Sequence, residues 1–178
     1  TELLDATHCA LYKHGYADLT LRDIAAESDK SKASIHYHYD SKDQLFVAVL
    51  DELFERFTDR VGAIDGDAPR ERLDSLLRVL LTTEADPSLK EVRTSVLEFQ
   101  AQAPYKPALE ERLANFDDYL VEQLRQILTA GVDAGEFTEA VEPARDAELL
   151  TTTITGAHTR QVAIGQSPDR LYGALTRY

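Results

Sequence analysis

The side chains best suited to contact an anion or the edge of a base lie between residues 30 and 42. Lys30, Lys32 and Lys42 surround a His-Tyr-His-Tyr run at residues 36–39. The group stands out because the chain is acidic, with 32 Asp and Glu against 19 Lys and Arg and a formal net charge of −13. Ammonium, imidazole and phenol groups can hydrogen-bond to phosphates and base edges, and an aromatic ring can pack on a thymine methyl group. The pattern indicates positioned contacts to nucleic acid and not bulk attraction.

The sequence offers little for catalysis or for metal binding. It contains no glycine-rich phosphate loop, no nucleophile elbow and no HExxH motif. His36 and His38 are two residues apart, about 200° around a helix, whereas a helical zinc pair is spaced i, i+4. The single cysteine, Cys9, excludes an intramolecular disulfide. We therefore expect no enzyme activity, no metal and no cofactor.

The overall charge and hydropathy narrow the class of protein further. Strong acidity argues against a nonspecific nucleic-acid binder, whose affinity comes from neutralising phosphates. Few lysines among many acids are also typical of salt-loving microbes, where salt screens the repulsion between surface charges. No apolar run approaches the roughly 18 residues that a membrane span needs, and the first residues lack the pattern of a signal peptide. The expectation is a cytoplasmic protein without a membrane partner.

The elements that must position the basic and aromatic group are short helices. Helical period runs through the whole chain, which predicts an all-α fold. A first helix spans residues 2–14 and stops at Gly15, and Thr20 caps a second helix. A third helix covers residues 31–39. Ser41 then opens a fourth, with the glutamine three residues later completing a capping box.

The second and third of these helices, joined by a three-residue turn, predict a helix-turn-helix whose later helix enters a major groove. Towards the interior we expect Ala33, Ile35 and Tyr39. Towards the DNA we expect Ser34, Tyr37 and His38, with His36 beside them. Lys42, near the amide-rich start of the fourth helix, is predicted to bind a phosphate, and Thr20 and Arg22 offer similar contacts from the other flank.

The longer helices of the remaining chain suggest a cavity and a subunit interface. Aromatic and polar side chains that could line a cavity, or equally form packed core, are Phe99, Tyr105, Phe116, Tyr119, Thr152 and His158. Gly156 and Ala157 interrupt an apolar stripe and would let two helices approach closely. The stripe predicted to form a dimer interface is Leu150, Ile154, Ala157 and Gln161.

The stretch "RDIAAESDKSKASIHYHYDSKDQLFVAVL" resembles the DNA-binding signature of the TetR family of transcriptional regulators. The shared features are an Ile-Ala pair, a turn, Ser-Lys, a small residue, a hydroxyl residue, an aliphatic residue, aromatics, and then Ser-Lys before a Leu. The departures are Asp29 and Lys30, where Gly and an apolar residue are usual, and His36, where Tyr is commonest.

The resemblance implies a helix-turn-helix DNA-binding domain at residues 1–46 and a helical effector-binding and dimerisation domain at 47–178. It implies base or phosphate contacts from Thr20, Arg22, Lys32, Ala33, Ser34, His36, Tyr37, His38 and Lys42. The expected protein is a homodimeric repressor that leaves a palindromic operator on double-stranded DNA when a small-molecule effector, still unknown, binds. Two alternatives stay open: a regulator without such an effector, and a helical small-molecule-binding protein or enzyme.

Overall fold

The computed structural model describes residues 2–82 and 88–176, and each regular element in those stretches is helical, which confirms the predicted all-α class. A short 3-10 turn, Ala103–Tyr105, follows the sixth of the α-helices described there. None of these helices combines the length and the apolar composition that a transmembrane segment requires. The helices are α1 (Glu2–Asp18), α2 (Leu21–Ala26), α3 (Lys32–His38), α4 (Lys42–Gly62), α5 (Pro69–Leu81), α6 (Leu89–Gln102), α7 (Pro107–Asp133), α8 (Pro143–Ile164) and α9 (Asp169–Leu175).

α1 breaks at the predicted glycine but continues beyond it. Gly15 has φ 72° and ψ 164°, a conformation that favours glycine because it has no Cβ. Helical structure then resumes as far as Asp18, and the Leu19 amide donates to the Gly15 carbonyl at 3.2 Å. The first helix is therefore bent at the predicted stop and extends past the predicted span of residues 2–14.

Side-chain caps start α2 and α3. Thr20 Oγ1 accepts the Asp23 amide at 3.4 Å and the Asp23 carboxylate accepts the Thr20 amide at 2.8 Å, which completes a capping box. Ser31 Oγ accepts the Ser34 amide at 3.1 Å, and the extended backbone of Tyr39 ends α3. Both caps satisfy amides that the first helical turn leaves without a carbonyl partner. The predicted cap at Thr20 is confirmed.

The start of α4 differs slightly from the predicted capping box. Ser41 Oγ accepts the Gln44 amide at 3.2 Å, as expected. Gln44 Oε1, however, accepts the Asp40 amide at 3.0 Å instead of the Ser41 amide. The glutamine thus closes the connection between α3 and α4 one residue earlier than the motif predicts. Because only three residues separate the two helices, the start of α4 controls the position of α3.

One compact unit consists of residues 2–57 and 88–113, in which α6 packs against α1. An aromatic cluster forms its centre, since the Phe46 ring lies 4.7 Å from the Tyr16 ring and 5.7 Å from the Phe99 ring. Each large apolar side chain that folding buries contributes about 1.5–3 kcal/mol. The buried aliphatic side chains of this unit include Leu11, Leu19, Ile24, Ile35, Leu45, Leu50 and Leu109.

The second compact unit consists of residues 58–82 and 114–176, in which α5 packs against α8 and α9. Polar contacts join these helices: His158 Nε2 donates to the Leu80 carbonyl at 2.8 Å, and the Tyr172 hydroxyl donates to Asp74 at 2.9 Å. The core of the unit contains Leu76, Leu77, Leu80, Leu81, Leu124, Ile127, Leu128 and Ile154.

The packing divides the described chain differently from the predicted domains. The predicted boundary between residues 46 and 47 falls inside α4, within the first unit. That unit also takes the ring of Phe99 from α6 into its core. A DNA-binding domain of residues 1–46 stays a prediction, whereas the compact unit that contains those residues includes α6 and the start of α7.

Candidate nucleic-acid interface

α3 is held by one buried side chain and presents the others outwards. Ile35 is the buried residue of this helix, and Tyr37 exposes 87% of its surface. The Tyr37 and His38 rings meet edge to face with centroids 5.3 Å apart. The other exposed side chains on α3 are Lys32, Ala33 and His36, while Ser34 is half-buried. Tyr37 and His38 are thus exposed as predicted, while contact of this face with DNA stays a prediction.

Ala33 was expected to face inwards, and the structure corrects this. Ala33 is exposed, while Ile35 has no exposed surface. Two residues correspond to a rotation of about 200° around a helix, so the side that buries Ile35 turns Ala33 outwards. Ala33 and Tyr37, four residues apart, then lie on one face. A small side chain there lets the helix backbone approach a groove closely.

Thr20 and Arg22 differ in whether their hydrogen-bond donors are available to a phosphate. Thr20 is exposed, but its hydroxyl donates to Asp23 Oδ2 at 2.6 Å and accepts two amides at the start of α2. A phosphate at Thr20 would have to compete with that carboxylate. Hydrogen bonding to Thr20 also lowers the pKa of Asp23, which keeps the competitor charged. Arg22 is exposed one position beyond the start of α2 and remains the stronger candidate.

The structure gives Lys42 a different role from the predicted phosphate contact. Its ammonium donates to the Tyr16 carbonyl at 2.9 Å and to the Leu19 carbonyl at 2.6 Å. It also lies 5.3 Å from the ring centroids of Tyr16 and Phe46. Burial lowers the pKa of Lys42. The ammonium therefore links the end of α1 to the start of α4, and two of its three N–H donors are engaged by these carbonyls.

Carboxylates surround the basic groups of this surface. Asp18 precedes α2, Asp29 lies in the turn before α3 and Asp40 follows α3, and each is exposed. Lys30, in the same turn as Asp29, lies 3.8 Å from the Glu2 carboxylate. Lys30, which stands where the family usually has an apolar residue, is exposed. Because of these carboxylates, this surface does not attract DNA through a general excess of positive charge.

Two family matches account for nearly the whole chain. Residues 3–49 match the bacterial regulatory proteins of the tetR family, and residues 69–178 match the C-terminal part of BetI-type transcriptional repressors. The chain belongs to the TetR family. It is a helix-turn-helix, DNA-binding regulator of transcription, and regulators of this family act as dimers.

Similar proteins match this chain over most of their length. A TetR transcription regulator from Haloarcula marismortui is 38% identical and superimposes with a TM-score of 0.90, covering 99% of this chain and 94% of that one. The regulator BetI of Rhizobium meliloti is 29% identical over 161 residues, or 89% of this chain and 75% of that protein. A Saccharomonospora viridis regulator, crystallised with choline, shares the fold at 23% identity, with a TM-score of 0.88 and coverage of 99% and 92%.

The six side chains proposed to line the cavity of this TetR-family protein are divided between the two compact units and differ in burial. Phe99 is fully buried against Tyr16 and Phe46 in the first unit, so its ring is core. Tyr105, also in that unit, is 80% exposed, and Thr152 on α8 is exposed. Packed core was the alternative left open for Phe99, and cavity roles for Tyr105 and Thr152 stay predictions. Phe116, Tyr119 and His158 are half-buried in the second unit.

The predicted dimer stripe of the regulator is rotated relative to the exposed face of α8. Ile154 is only 1% exposed and packs inside its own subunit, which corrects its assignment to the interface. Leu150, Ala157 and Gln161 are half-buried. Leu149 and Ile164 are each 63% exposed, and Thr152, Gly156 and Ala163 are exposed on the same helix. The signal that could have identified this face is the spacing of Leu149, Thr152, Gly156 and Ala163 at helical period.

Proposed function

We propose that this regulator is a repressor that binds a palindromic operator as a homodimer, with α3 of each subunit in the major groove of one half-site. The observation that carries the proposal is the outward face of α3, where a bulky aromatic residue is left almost fully exposed. An exposed tyrosine contributes little to folding, whereas tyrosine is among the residues that dominate binding interfaces. The family match to BetI-type repressors supports repression.

The proposed DNA contacts are the predicted ones with Lys42 removed. Base edges are met by Ala33, His36, Tyr37 and His38, because these side chains are exposed along α3. Lys32 and Arg22 are assigned to phosphates, with Thr20 and the half-buried Ser34 in secondary positions. Specificity then comes from a few placed groups, which suits a surface whose neighbouring carboxylates offer no bulk attraction to DNA.

The proposed dimer is formed through the exposed face of α8. Leu149 and Ile164 would be buried there, and Gly156 would let the partner helix approach closely. A dimer with two-fold symmetry and one recognition helix per subunit is expected to bind a palindromic operator whose half-sites are about one turn of DNA apart, roughly 34–36 Å. Gly156→Leu is expected to yield monomers in analytical ultracentrifugation, and a full dimer would contradict this interface.

A small-molecule effector is proposed to bind in the second unit, near Phe116, Tyr119 and His158. It would release DNA only by binding more tightly to the conformation with low operator affinity. The alternative, a regulator without an effector, gains support from the closed position of Phe99 and the exposure of Tyr105 and Thr152. A thermal-shift screen that begins with quaternary ammonium compounds separates the two. Stabilisation together with weaker operator binding would support the effector.

The first experiment is selection of duplexes from a random library, followed by fluorescence anisotropy in a potassium chloride series. Enrichment of a palindrome is expected. Tyr37→Ala is expected to weaken operator binding by about 1–3 kcal/mol and to relax sequence preference, because one base contact is removed. Tyr105→Ala is the matched control, since it removes a similarly exposed tyrosine outside α3. No enrichment at any salt concentration, with folded dimeric protein, would exclude the proposed function.

A further inference from the structure

An ion pair joins the connection between α6 and α7 to the start of α4. Lys106, next to the 3-10 turn, donates from Nζ to Asp43 Oδ2 at 2.6 Å, although 63 residues separate the two in sequence. The other carboxylate oxygen, Oδ1, accepts the Tyr16 hydroxyl at 3.1 Å. Both oxygens of Asp43 are therefore engaged by residues outside α4. All three residues belong to the first compact unit.

Tyr16 connects this ion pair to the rest of the unit. Its amide donates to Glu98 Oε2 on α6 at 3.2 Å, and its carbonyl accepts the Lys42 ammonium at 2.9 Å. Its ring lies 4.7 Å from the Phe46 ring, and the Lys106 ammonium lies 6.0 Å from its centroid. The end of α1 is thus held from α4, from α6 and from the α6–α7 connection at once.

The hydrogen bond between Lys106 and Asp43 favours the charged form of both side chains. The hydrogen bond from Lys106 lowers the pKa of Asp43, and the same bond raises the pKa of Lys106. The side chains are 29% and 58% exposed for Lys106 and Asp43, so the pair is near the surface. A pair of this kind adds little to the free energy of unfolding. The pair is made at the first turn of α4, and α3 ends only a few residues before that turn.

We propose that Lys106 is a positioning residue for operator binding: by holding Asp43 it fixes the start of α4 and thereby the orientation at which α3 meets the DNA. The inference rests on the proposed operator binding. It assigns a part in DNA recognition to a side chain more than sixty residues beyond the helix-turn-helix. Lys106 acts through Asp43, and a phosphate is not its partner.

The test compares Lys106→Met, Lys106→Arg and Asp43→Asn for affinity to the selected operator and to an unrelated duplex. Lys106→Met is expected to weaken operator binding about fivefold, as expected for coupled neighbouring side chains, and to leave binding to the unrelated duplex unchanged. Lys106→Arg should retain most of the affinity. The double variant Lys106→Met, Asp43→Asn should bind the operator with the same affinity as whichever single variant binds it less tightly. Lys90→Met, which changes an exposed lysine on α6, is the matched control.

The salt dependence of operator affinity separates positioning from a direct phosphate contact. Loss of a phosphate contact reduces the slope of log K against log salt by about 0.9, so a positioning role predicts an unchanged slope. A reduced slope, or unchanged operator affinity of Lys106→Met, would overturn the inference while operator binding by the wild type stands. Equal weakening on both duplexes would indicate a merely structural role and would also overturn it. If the wild type binds no duplex, both the proposed function and this inference are contradicted.

Discussion

At the residue scale, Lys42 shows how one side chain can change its role when its partners are known. Its position beside a helix start indicated a phosphate contact, since helix N-termini attract anions. The carbonyls of Tyr16 and Leu19 take its ammonium instead. Tyr16 lies in the last turn of α1 and Leu19 follows its last residue, and the end of a helix leaves carbonyl acceptors without amide partners. Because Lys42 donates two charged hydrogen bonds to these carbonyls, we expect its main role to be in the stability of the fold.

Lys42→Met is therefore expected to lower the free energy of unfolding by about 1–3 kcal/mol, because two carbonyls lose a charged donor. Urea unfolding followed by circular dichroism measures this. The matched control is Lys32→Met on α3, which should leave stability unchanged and reduce the salt slope of operator binding. If Lys42→Met keeps full stability and reduces that slope, Lys42 contacts phosphate after all.

His8 gives a second prediction at this scale, on pH. Burial lowers the pKa of His8, against the raising effects of Glu91 and Asp5 and with a lowering effect of Arg56. Its Nε2 is buried without a hydrogen-bond partner among the described residues. The unfolded chain therefore binds a proton more readily than the folded one, starting near the ordinary histidine pKa of about 6.5. The stabilising effect of neutral His8 is present above that pH and is lost as the pH falls through the folded pKa.

The measurement is the free energy of urea unfolding at several pH values between 7.5 and 5, for the wild type and for His8→Leu. The wild type is expected to lose stability towards pH 5, and the variant should show a flatter dependence over that interval. Stability that rises towards pH 5 in the wild type, or equal slopes in both proteins, would contradict the assignment to His8.

At the element scale, the sequence was most informative about where helices begin. The caps at Thr20, Ser31 and Ser41 follow from residue types within a few positions of one another, so local sequence suffices to predict them. The orientation of α3 was predicted less well, since Ala33 was assigned to the inside. Placing both Ala33 and Ile35 on one face conflicts with the helical rotation, and the burial of Ile35 decides which of them is inside.

The connection after α7 depends on a glycine whose importance sequence alone did not reveal. The amides of Glu136 and Phe137 donate to the Gly131 carbonyl at 2.9 and 3.1 Å, which folds the chain back on the helix. A Cβ at Gly131 would collide with the Phe137 ring. The requirement for glycine depends on the Phe137 side chain, which packs back on the helix from the turn that follows it.

Gly131→Ala is expected to lower the free energy of unfolding by about 1–3 kcal/mol, as in other cases where a group is forced into packed space. Gly62→Ala is the control, because nothing lies within 4 Å of the added Cβ at the end of α4. Chemical denaturation of both variants measures the difference. A loss of the same size in Gly62→Ala would assign the effect to the glycine backbone in general.

At the scale of the whole molecule, the net charge of −13 shapes how the regulator meets DNA. Exposed Asp18, Asp29 and Asp40 lie beside the recognition surface, and approaching phosphates raise the negative potential around them. We expect these carboxylates to take up cations when DNA binds, which offsets the counterions that DNA releases. Salt should then weaken operator binding less than the number of phosphate contacts alone implies.

The slope of log K against log potassium chloride is expected to be shallower than about −0.9 per phosphate contacted. Asp29→Asn should steepen the slope and raise affinity at low salt, because one site of cation uptake is removed. Glu139→Gln, which alters an exposed acid in the second unit, should leave the slope unchanged. An unaltered slope in Asp29→Asn would show that the neighbouring carboxylates take up no cation.

The sequence by itself determined the helices, their caps, the helix-turn-helix and the exposed polar face of α3, because each depends on residues within one or two helical turns. The tertiary structure decided which side chains remain available. Lys42 donates to carbonyls 26 and 23 residues earlier, Phe99 lies in the core of the first compact unit, and Ile154 is buried within its own subunit. Such pairings depend on how whole helices pack. Helical period fixes the face of a helix but not the partner that covers it.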